Sequence, residues 1–377
     1  MAGGPAAAAS ATGPASMVSV ALSATEEREL IAGCTRFLQL HGRRSPRELL
    51  TDIPDGVAMD RYGHGGVVAE LEDVTAKLLG KPAAAFFPSG TMAQQAVLRV
   101  HADRRHGNPV FVCHPACHLE WREGRGYQRL HGLTCHAAGD LRVPLMVNDL
   151  EAVAETPATL LLELPQRDLG GHLPAWSELE AQVAWGRARG AAVHLDGARL
   201  WECTPRYRRT PAEIAALFDT VYVSFYKGLG ALSGACLAGP AAEVAEAREW
   251  RTRHGGTLLA LWPYAASALT CLQRRLPRMP EYYRHAQAIA AAVAEVPEIE
   301  VVPDPPDTPM MHLLLRTTAP QFGEAIVRLA RAHGIWTFSR WFASDSPGTQ
   351  RVELAVGDAT LGFEPDEVRD ILRALVR

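Results

Sequence analysis

Short apolar runs of strand length alternate with amphipathic helical segments along most of this chain, and this alternation constrains the fold more than any other feature. The apolar runs are residues 83–87, 110–113, 158–163, 191–195 and 220–225. Apolar residues at helical spacing mark the segments 67–79, 91–105, 176–189 and 211–217. Strands that alternate with helices indicate a mostly parallel sheet covered on both faces, so the sequence predicts an α/β fold.

The pattern changes near residue 270, which indicates a second, smaller domain. Predicted helices and strands follow one another there at residues 280–296, 311–316, 322–333, 335–338, 351–356 and 366–376. We therefore predict a large domain over residues 25–270 and a small C-terminal α+β domain over residues 271–377. Residues 1–24, which are rich in Ala, Gly and Ser, are predicted to form a disordered tail.

Composition excludes several classes of protein. Of the 377 residues, 47 % are hydrophobic and 21 % are charged, which is typical of a globular chain. The 38 Lys and Arg residues nearly balance the 42 Asp and Glu residues, so no charge excess favours nucleic acid or an anionic membrane as a partner. No apolar run reaches the roughly 20 residues that span a bilayer. Seven scattered cysteines form a poor disulfide framework and indicate a reducing, cytoplasmic location.

Two segments after predicted strands carry groups that suit an anionic ligand and a cation. Open α/β sheets bind ligands at the edge formed by the carboxyl ends of their strands. The segment Ser89-Gly90-Thr91 begins a helix, where backbone N–H groups and the helix dipole favour a phosphate; a simple helix cap is the alternative. Asp196 closes the strand at 191–195 and can face a ligand, or it can serve only a structural role.

Two further segments place a lysine and an imidazole at the same edge. Lys227 follows a buried strand directly, and desolvation there lowers the pKa of a lysine toward the range in which its amine is nucleophilic. A lysine that extends into solvent is the alternative. His118 follows the strand at 110–113, either as a ligand-facing residue or as a structural histidine.

These four features together match the requirements of a single cofactor. Asp196 and Lys227 lie 31 positions apart, about the length of one β-α-β unit, so their strand ends can face one molecule. A phosphate site, a carboxylate, a nucleophilic lysine and a flat imidazole suit pyridoxal 5′-phosphate. In this hypothesis Lys227 binds the aldehyde, Asp196 keeps the ring nitrogen protonated, and His118 stacks on the ring.

The stretches FPSGTMAQQ, HLDGARLWE and SFYKGLGALSG together resemble the threonine aldolase family, within the wider group of β-eliminating lyases. The MDRYGHGG segment and the run after His118 match the same family, and the similarity extends from about Met59 to the C-terminus. The resemblance implies a fold-type-I, pyridoxal-phosphate-dependent transferase-like large domain with a mostly parallel sheet. It also implies a catalytic role for Lys227 and cofactor contacts from Ser89, Gly90, Thr91, His118, Asp196 and Arg199.

The same resemblance predicts the remaining residues of the site. Arg351, in QRVELAVGDAT, matches the arginine that binds the substrate carboxylate. Tyr62 is expected to reach the pocket of a neighbouring subunit, which implies a homodimer or homotetramer. Gln166 stands among the substrate-binding positions where the family usually has a histidine, and an amide cannot act as a base. His118, His64 or an ordered water are therefore the candidates that accept the β-hydroxyl proton.

The predicted function is cleavage of threonine-like β-hydroxy-α-amino acids to glycine and an aldehyde. Two alternatives are a β-eliminating lyase acting on another amino acid and a non-catalytic scaffold that retains the fold. A zinc site is a weaker alternative, because Cys113, Cys117 and Cys135 have nearby histidines but no second well-spaced ligand pair. We predict that no metal is bound.

Overall fold

A computed structural model describes residues 17–344 and 346–377 of the chain. Its strands are β1 (Met17–Ser19), β2 (Arg36–Phe37), β3 (Ala83–Phe87), β4 (Val110–Cys113), β5 (Thr134–Ala137), β6 (Thr159–Glu163), β7 (Ala192–Gly197), β8 (Thr220–Ser224), β9 (Ala235–Gly239), β10 (Ile299–Val302), β11 (Met310–Arg316), β12 (Ile335–Trp336), β13 (Arg340–Ala343) and β14 (Thr349–Ala355). Its helices are α1 (Ala24–Gly33), α2 (Pro46–Leu50), α3 (Gly66–Leu79), α4 (Gly90–Arg104), α5 (His118–Trp121), α6 (Gly126–His131), α7 (Val147–Glu151), α8 (Trp176–Ala188), α9 (Leu200–Tyr207), α10 (Pro211–Ala215), α11 (Ala241–Arg253), α12 (Trp262–Arg275), α13 (Met279–Val293), α14 (Ala319–His333) and α15 (Pro365–Val376).

A seven-stranded sheet forms the centre of the large part of the molecule. Its strand order is β3-β9-β8-β7-β6-β4-β5. Neighbouring strands from β8 to β5 pair in parallel, whereas β9 pairs antiparallel with both β8 and β3. The strands that were predicted are therefore joined in one mostly parallel sheet, and β9 is the antiparallel strand that the sequence patterns did not reveal. The carboxyl ends of β6, β7 and β8 lie side by side at one edge.

Local sequence signals explain where the elements next to this edge begin and end. Helix α3 ends at Gly80, which adopts the left-handed conformation (φ 60°) that glycine tolerates. Helix α4 begins after Ser89, whose Oγ accepts a hydrogen bond from the backbone N–H of Met92 at 3.3 Å. The predicted helices at 67–79 and 91–105 are confirmed within one residue at each end.

The C-terminal part is built on an antiparallel sheet with the order β1-β13-β14-β11-β10. Helices α14 and α15 present apolar faces that bury, among others, Phe322, Ile326 and Leu372. One hydrophobic cluster extends from Val20 to Leu375 and contains residues of both parts. The small sheet is thereby held against the large part, where it can contribute side chains to the sheet edge.

Two features differ from the sequence interpretation. Within the predicted tail, residues 17–24 include β1, which pairs with β13 and is followed by the buried Val20; β-branched Val18 and Val20 suit a strand. Residues 1–16 lie outside the described residues. The predicted boundary at 270 falls inside α12, so the division at 270/271 stays a prediction. Within the described ranges, no helix is both long and apolar enough to cross a membrane.

Candidate active site

Two adjoining cavities open at the carboxyl ends of β6, β7 and β8. The inner cavity is lined by Thr91, Gln94, His118, Glu123, Glu163, Pro165, Arg167, Asp196, Ala198, Arg199, Tyr222, Tyr226 and Lys227. The outer cavity, of about 430 Å³, is lined by Met17, Leu40, His118, Arg122, Arg167, Arg199, Tyr226, Lys227, Gly228, Phe342 and Ala355. We call the two together the Lys227 cleft, because Lys227 lines both of them.

Lys227 lies in the turn that follows β8 and is half-buried in the cleft. Burial lowers the pKa of its amine, and the positive charge of Arg199 lowers it further, while Asp196 acts in the opposite direction. As a result, a larger fraction of Lys227 is in the neutral amine form than of an exposed lysine. The predicted nucleophilic character of Lys227 is therefore supported by its surroundings.

Asp196 lies near the end of β7 and is only 3 % exposed. Its Oδ1 accepts a hydrogen bond from the backbone N–H of Ala198 at 3.1 Å. Burial raises the pKa of this carboxyl group, whereas the charges of His118 and Lys227 lower it. A buried carboxylate that a nearby positive charge stabilises suits the protonated ring nitrogen of pyridoxal phosphate. Asp196 lines the inner cavity together with Lys227.

The N-terminus of α4 forms one wall of the inner cavity. Ser89 caps this helix, and Thr91 lines the cavity itself. A Cβ atom added at Gly90 would overlap the hydroxyl of Tyr222, so the position requires glycine for steric reasons. The free N–H groups of a helix N-terminus and its dipole favour an anion, so this wall fits a phosphate group.

His118 begins α5 and lines both cavities. Its Nδ1 lies 2.9 Å from Oε1 of Glu123, whose side chain is almost fully buried. This contact orients the imidazole, as a carboxylate partner commonly does for a functional histidine. Of the described residues that line the cleft, His118 alone carries an imidazole.

Two arginines, Arg199 and Arg167, enter the cleft and converge on one carboxylate. Arg199 Nη2 lies 3.3 Å from Oε1 of Glu353, and Arg167 Nε lies 2.9 Å from Oε2 of the same residue. Desolvation raises the pKa of the half-buried Glu353, but the positive charges of the two arginines outweigh it and hold the pKa below its usual value. Arg199 was predicted to contact the cofactor; Arg167 was not predicted, although it follows β6 as Lys227 follows β8.

Arg351 and Gln166 do not line the Lys227 cleft. Arg351 lines a neighbouring cavity of about 320 Å³ together with Asp168 and His312. Its guanidinium carbon lies 5.4 Å from the ring centre of Phe342, which does line the outer cavity. Gln166 is buried and donates a hydrogen bond from Nε2 to Glu163 Oε2 at 3.2 Å. The strand register of β14 places Arg351 beside the cleft, and its predicted substrate contact stays a prediction.

Tyr62 and His64 lie at the surface of the chain, outside both cavities. The side chain of Tyr62 is exposed at 48 %, and its backbone N–H donates to the carbonyl of Leu259 at 3.0 Å. His64 is also exposed. Neither residue lines the Lys227 cleft of its own chain, so their predicted roles stay predictions.

Two carboxyl groups near Lys227, the partly exposed Glu163 and the buried Glu202, were not predicted. Burial and the negative charges of Asp196 and Asp168 raise the pKa of Glu163 well above its usual range. Burial also raises the pKa of Glu202 to about 7, although Arg199 lowers it. Glu163 ends β6, so the strand-end rule that identified Asp196 would also have identified it.

The cleft thus combines a desolvated amine, a buried carboxylate, an oriented imidazole and a helix N-terminus at one sheet edge. This set fits pyridoxal phosphate. The helix N-terminus suits the phosphate, Asp196 suits the ring nitrogen, His118 suits the face of the ring, and Lys227 suits the aldehyde. The fold and these side chains together define an enzyme site of the fold-type-I class.

Comparison with known proteins assigns the chain to a family within this class. The sequence profile of the family described as Beta-eliminating lyase matches residues 55–317. Low-specificity L-threonine aldolase 1 of Arabidopsis thaliana is 28 % identical over 254 residues, covering 64 % of this chain and 70 % of that protein. The low specificity L-threonine aldolase of Escherichia coli K12 is 30 % identical over 248 residues, covering 63 % and 72 %.

A solved structure agrees with these sequence relatives. A Listeria monocytogenes chain, assigned as an L-allo-threonine aldolase, superposes with a TM-score of 0.86 at 37 % identity, covering 93 % of this chain and 98 % of that one. This chain belongs to the beta-eliminating lyase family. The predictions of this family, of the fold-type-I α/β fold and of a lyase of the threonine aldolase type are confirmed.

Proposed function

We propose that this chain binds pyridoxal 5′-phosphate at Lys227 and cleaves threonine-like β-hydroxy-α-amino acids to glycine and an aldehyde. The observation that carries the proposal is the shared inner cavity. The Lys227 amine and the Asp196 carboxylate both line it and interact electrostatically, beside the N-terminus of α4. The names of the relatives, which are threonine aldolases, support the same substrate class.

Different side chains of the cleft bind different parts of the cofactor. Ser89, Gly90 and Thr91 at the start of α4 bind its phosphate, because this helix end offers N–H groups and a positive dipole. Asp196 holds the ring-nitrogen proton, and His118 lies against the ring face. When bound, pyridoxal phosphate accepts the electron pair that is released when a bond at Cα of the amino acid breaks.

Arg167 is our candidate for binding the α-carboxylate of the amino acid. It lines both cavities and keeps 22 % of its side chain exposed, against 13 % for Arg199. The position of the Glu353 carboxylate between these two guanidinium groups supports carboxylate binding in this part of the cleft. Arg351 is the alternative implied by the family resemblance.

His118 is our candidate for accepting the β-hydroxyl proton. It lies in the cleft, and its contact with Glu123 holds the imidazole in a fixed orientation there. Within one chain His64 lies outside the cleft. Tyr62 is proposed to enter the cleft of a neighbouring copy in a homodimer or homotetramer. The free cysteines support a cytoplasmic location.

A cofactor-trapping experiment tests the role of Lys227. Borohydride should fix the bound cofactor to the protein through a stable carbon–nitrogen bond, and peptide mass spectrometry should locate it on Lys227. Lys227→Ala should abolish turnover and trapping, whereas Lys81→Ala, which changes a half-buried lysine outside the cleft, should retain both. A second labelled lysine in place of Lys227, or wild-type activity in Lys227→Ala, would refute the proposal.

A substrate comparison tests the reaction. Threonine, β-phenylserine and cysteine are offered in parallel, and the products are identified as glycine or pyruvate. Glycine from the first two supports aldol cleavage, while pyruvate from cysteine as the main product would identify the chain as a β-eliminating enzyme. Absence of both products together with absence of bound cofactor would indicate a scaffold. His64→Asn should lower the rate less than His118→Asn does.

Arg167 and Arg351 are distinguished by matched variants. A charge-assisted hydrogen bond contributes about 1.5–3 kcal/mol, so Arg167→Ala should lower kcat/KM for threonine by about ten- to a hundredfold, mainly through KM. Arg351→Ala should have a smaller effect. Replacing the carboxylate of threonine by an amide should cost the wild type much of its kcat/KM and the Arg167 variant little. A larger loss in Arg351→Ala would assign the carboxylate contact to Arg351.

A further inference from the structure

Three cysteine thiols meet at the edge of the large sheet, beside the cleft. Cys113 ends β4, Cys135 lies in the neighbouring edge strand β5, and Cys117 occupies the cap position before α5. The Sγ atoms of Cys113 and Cys117 are 3.1 Å apart, and those of Cys113 and Cys135 are 3.3 Å apart. We call these three residues the thiol cluster; all three are free cysteines.

The histidines near the thiol cluster contact other groups. We therefore describe the thiol cluster by the chemistry of its three sulfur atoms. A structural zinc site needs a fourth ligand beside the three cysteines, and the nearby histidines are the candidates that the sequence offered. Instead, His114 Nε2 contacts the backbone carbonyls of Asp140 and Val143. The Nδ1 atoms of His118 and His136 contact the side-chain carboxylates of Glu123 and Glu155, respectively. Among the described residues, no group of three or more His, Cys, Asp or Glu side chains has a metal-binding arrangement.

The three thiols differ in burial and in acidity. Cys113 and Cys117 are fully buried, whereas Cys135 is partly exposed. Hydrogen bonding with Cys113 and Cys117 lowers the pKa of Cys135 to about 5, although burial and the nearby Glu120 raise it. Cys113 lowers the pKa of Cys117, but contact with Cys135 and burial raise it to about 12. Cys135 is therefore both the most accessible and the most acidic of the three thiols, and the thiolate is the reactive form of cysteine.

We propose that the thiol cluster is a modification site for peroxides, in which Cys135 is the attacking sulfur and Cys113 the resolving one. In the first step the Cys135 thiolate attacks hydrogen peroxide; an S–O bond forms, the O–O bond breaks, and hydroxide leaves. Cys135 is then a sulfenic acid. In the second step the Cys113 sulfur attacks Cys135, an S–S bond forms, the S–O bond breaks, and the departing hydroxide takes the Cys113 proton to give water. Two thiols lose two electrons, and peroxide gains them.

The strand register indicates how the disulfide can move. Cys135 pairs with Phe111 across the parallel strands β4 and β5, so Cys113 is its diagonal neighbour on the same face of the sheet. The Sγ atom of Cys117 lies 3.1 Å from that of Cys113. Attack of Cys117 on the Cys113 sulfur therefore can transfer the disulfide and release Cys135, which is a good leaving group because its pKa is low. Both products contain Cys113.

Peptide mapping of the full-length protein tests this proposal without any activity measurement. The protein is treated with hydrogen peroxide at pH 6, where an ordinary thiol is less than about 1 % thiolate. We expect two of the seven thiols to be lost. Trypsin leaves Cys113 and Cys117 in one peptide and Cys135 in another, so either disulfide is recognised by an internal bond or by a cross-linked pair.

Matched variants assign the two roles. Cys135→Ser should slow thiol loss at pH 6 about tenfold or more, whereas Cys34→Ser, which changes a buried thiol outside the cluster, should leave it unchanged. Cys113→Ala should accumulate a sulfenic acid on Cys135 that dimedone traps. Circular dichroism identifies a variant that fails to fold, and Cys135→Ala then replaces it. Unchanged thiol loss in a folded Cys135 variant, retention of all seven thiols, or a disulfide that lacks Cys113 would overturn the proposal.

Discussion

Glu202 should make the stability of the free protein depend on pH, and Glu202→Gln should remove that dependence. Glu202 lies on α9, is 4 % exposed, and has its Oε1 3.8 Å from Arg199 Nε. A Cβ atom at Gly228, the residue after Lys227, would overlap the same carboxylate oxygen. The carboxyl group is therefore packed directly against the turn that carries Lys227.

The size of the effect follows from the pKa. Burial raises the pKa of Glu202 from 4.5 to about 7, although Arg199 and Lys227 lower it. This difference corresponds to about 3 kcal/mol in the free energy of unfolding. Because the folded-state pKa is raised, the contribution of Glu202 to stability is fully present below pH 4.5 and is lost as the pH rises through about 7. Glutamine stays neutral, so it avoids this loss.

Urea unfolding of the wild type and of Glu202→Gln between pH 4.5 and 8.5, at one protein concentration, measures the difference. Relative to the wild type, the variant should gain about 3 kcal/mol between the lowest and highest pH. Glu249→Gln, at an exposed position on α11, is the matched control and should show no such gain. A difference between wild type and Glu202→Gln that stays constant with pH, or that grows in the opposite direction, contradicts the reasoning.

Two further substitutions test packing and a buried ion pair. Gly90→Ala should cost about 1–3 kcal/mol and reduce cofactor retention on gel filtration, because its Cβ overlaps Tyr222; Gly33→Ala, which has open space, should do neither. Arg248→Met should destabilise the protein by about 3 kcal/mol in urea, because it removes the counter-ion that holds the Glu72 carboxylate at 2.8 and 2.7 Å. The double variant Arg248→Met/Glu72→Met should recover part of this loss, since the backbone N–H of Phe86 then lacks its acceptor; no recovery would contradict a charge effect.

Features carried by short stretches of sequence were predictable. The helix at 67–79 and the strands at 83–87 and 110–113 follow from apolar spacing and from stops such as Gly80, since these signals act over a few residues. The rule that ligands bind at strand ends selected Asp196 and Lys227, which the structure brings into one cavity. Residues at the ends of strands become neighbours once the order of the strands in the sheet is fixed.

Contacts between distant segments were decided by the tertiary structure alone. Arg199 and Glu353 lie 154 positions apart and meet because the small sheet packs against the large part. The register of β14 points Arg351 into the neighbouring cavity, and no local pattern contains that register. The thiol cluster likewise depends on the pairing of β4 with β5. Local sequence determines which element forms, whereas the summed burial of all elements determines which side chains meet, since packing energy is a property of the whole chain.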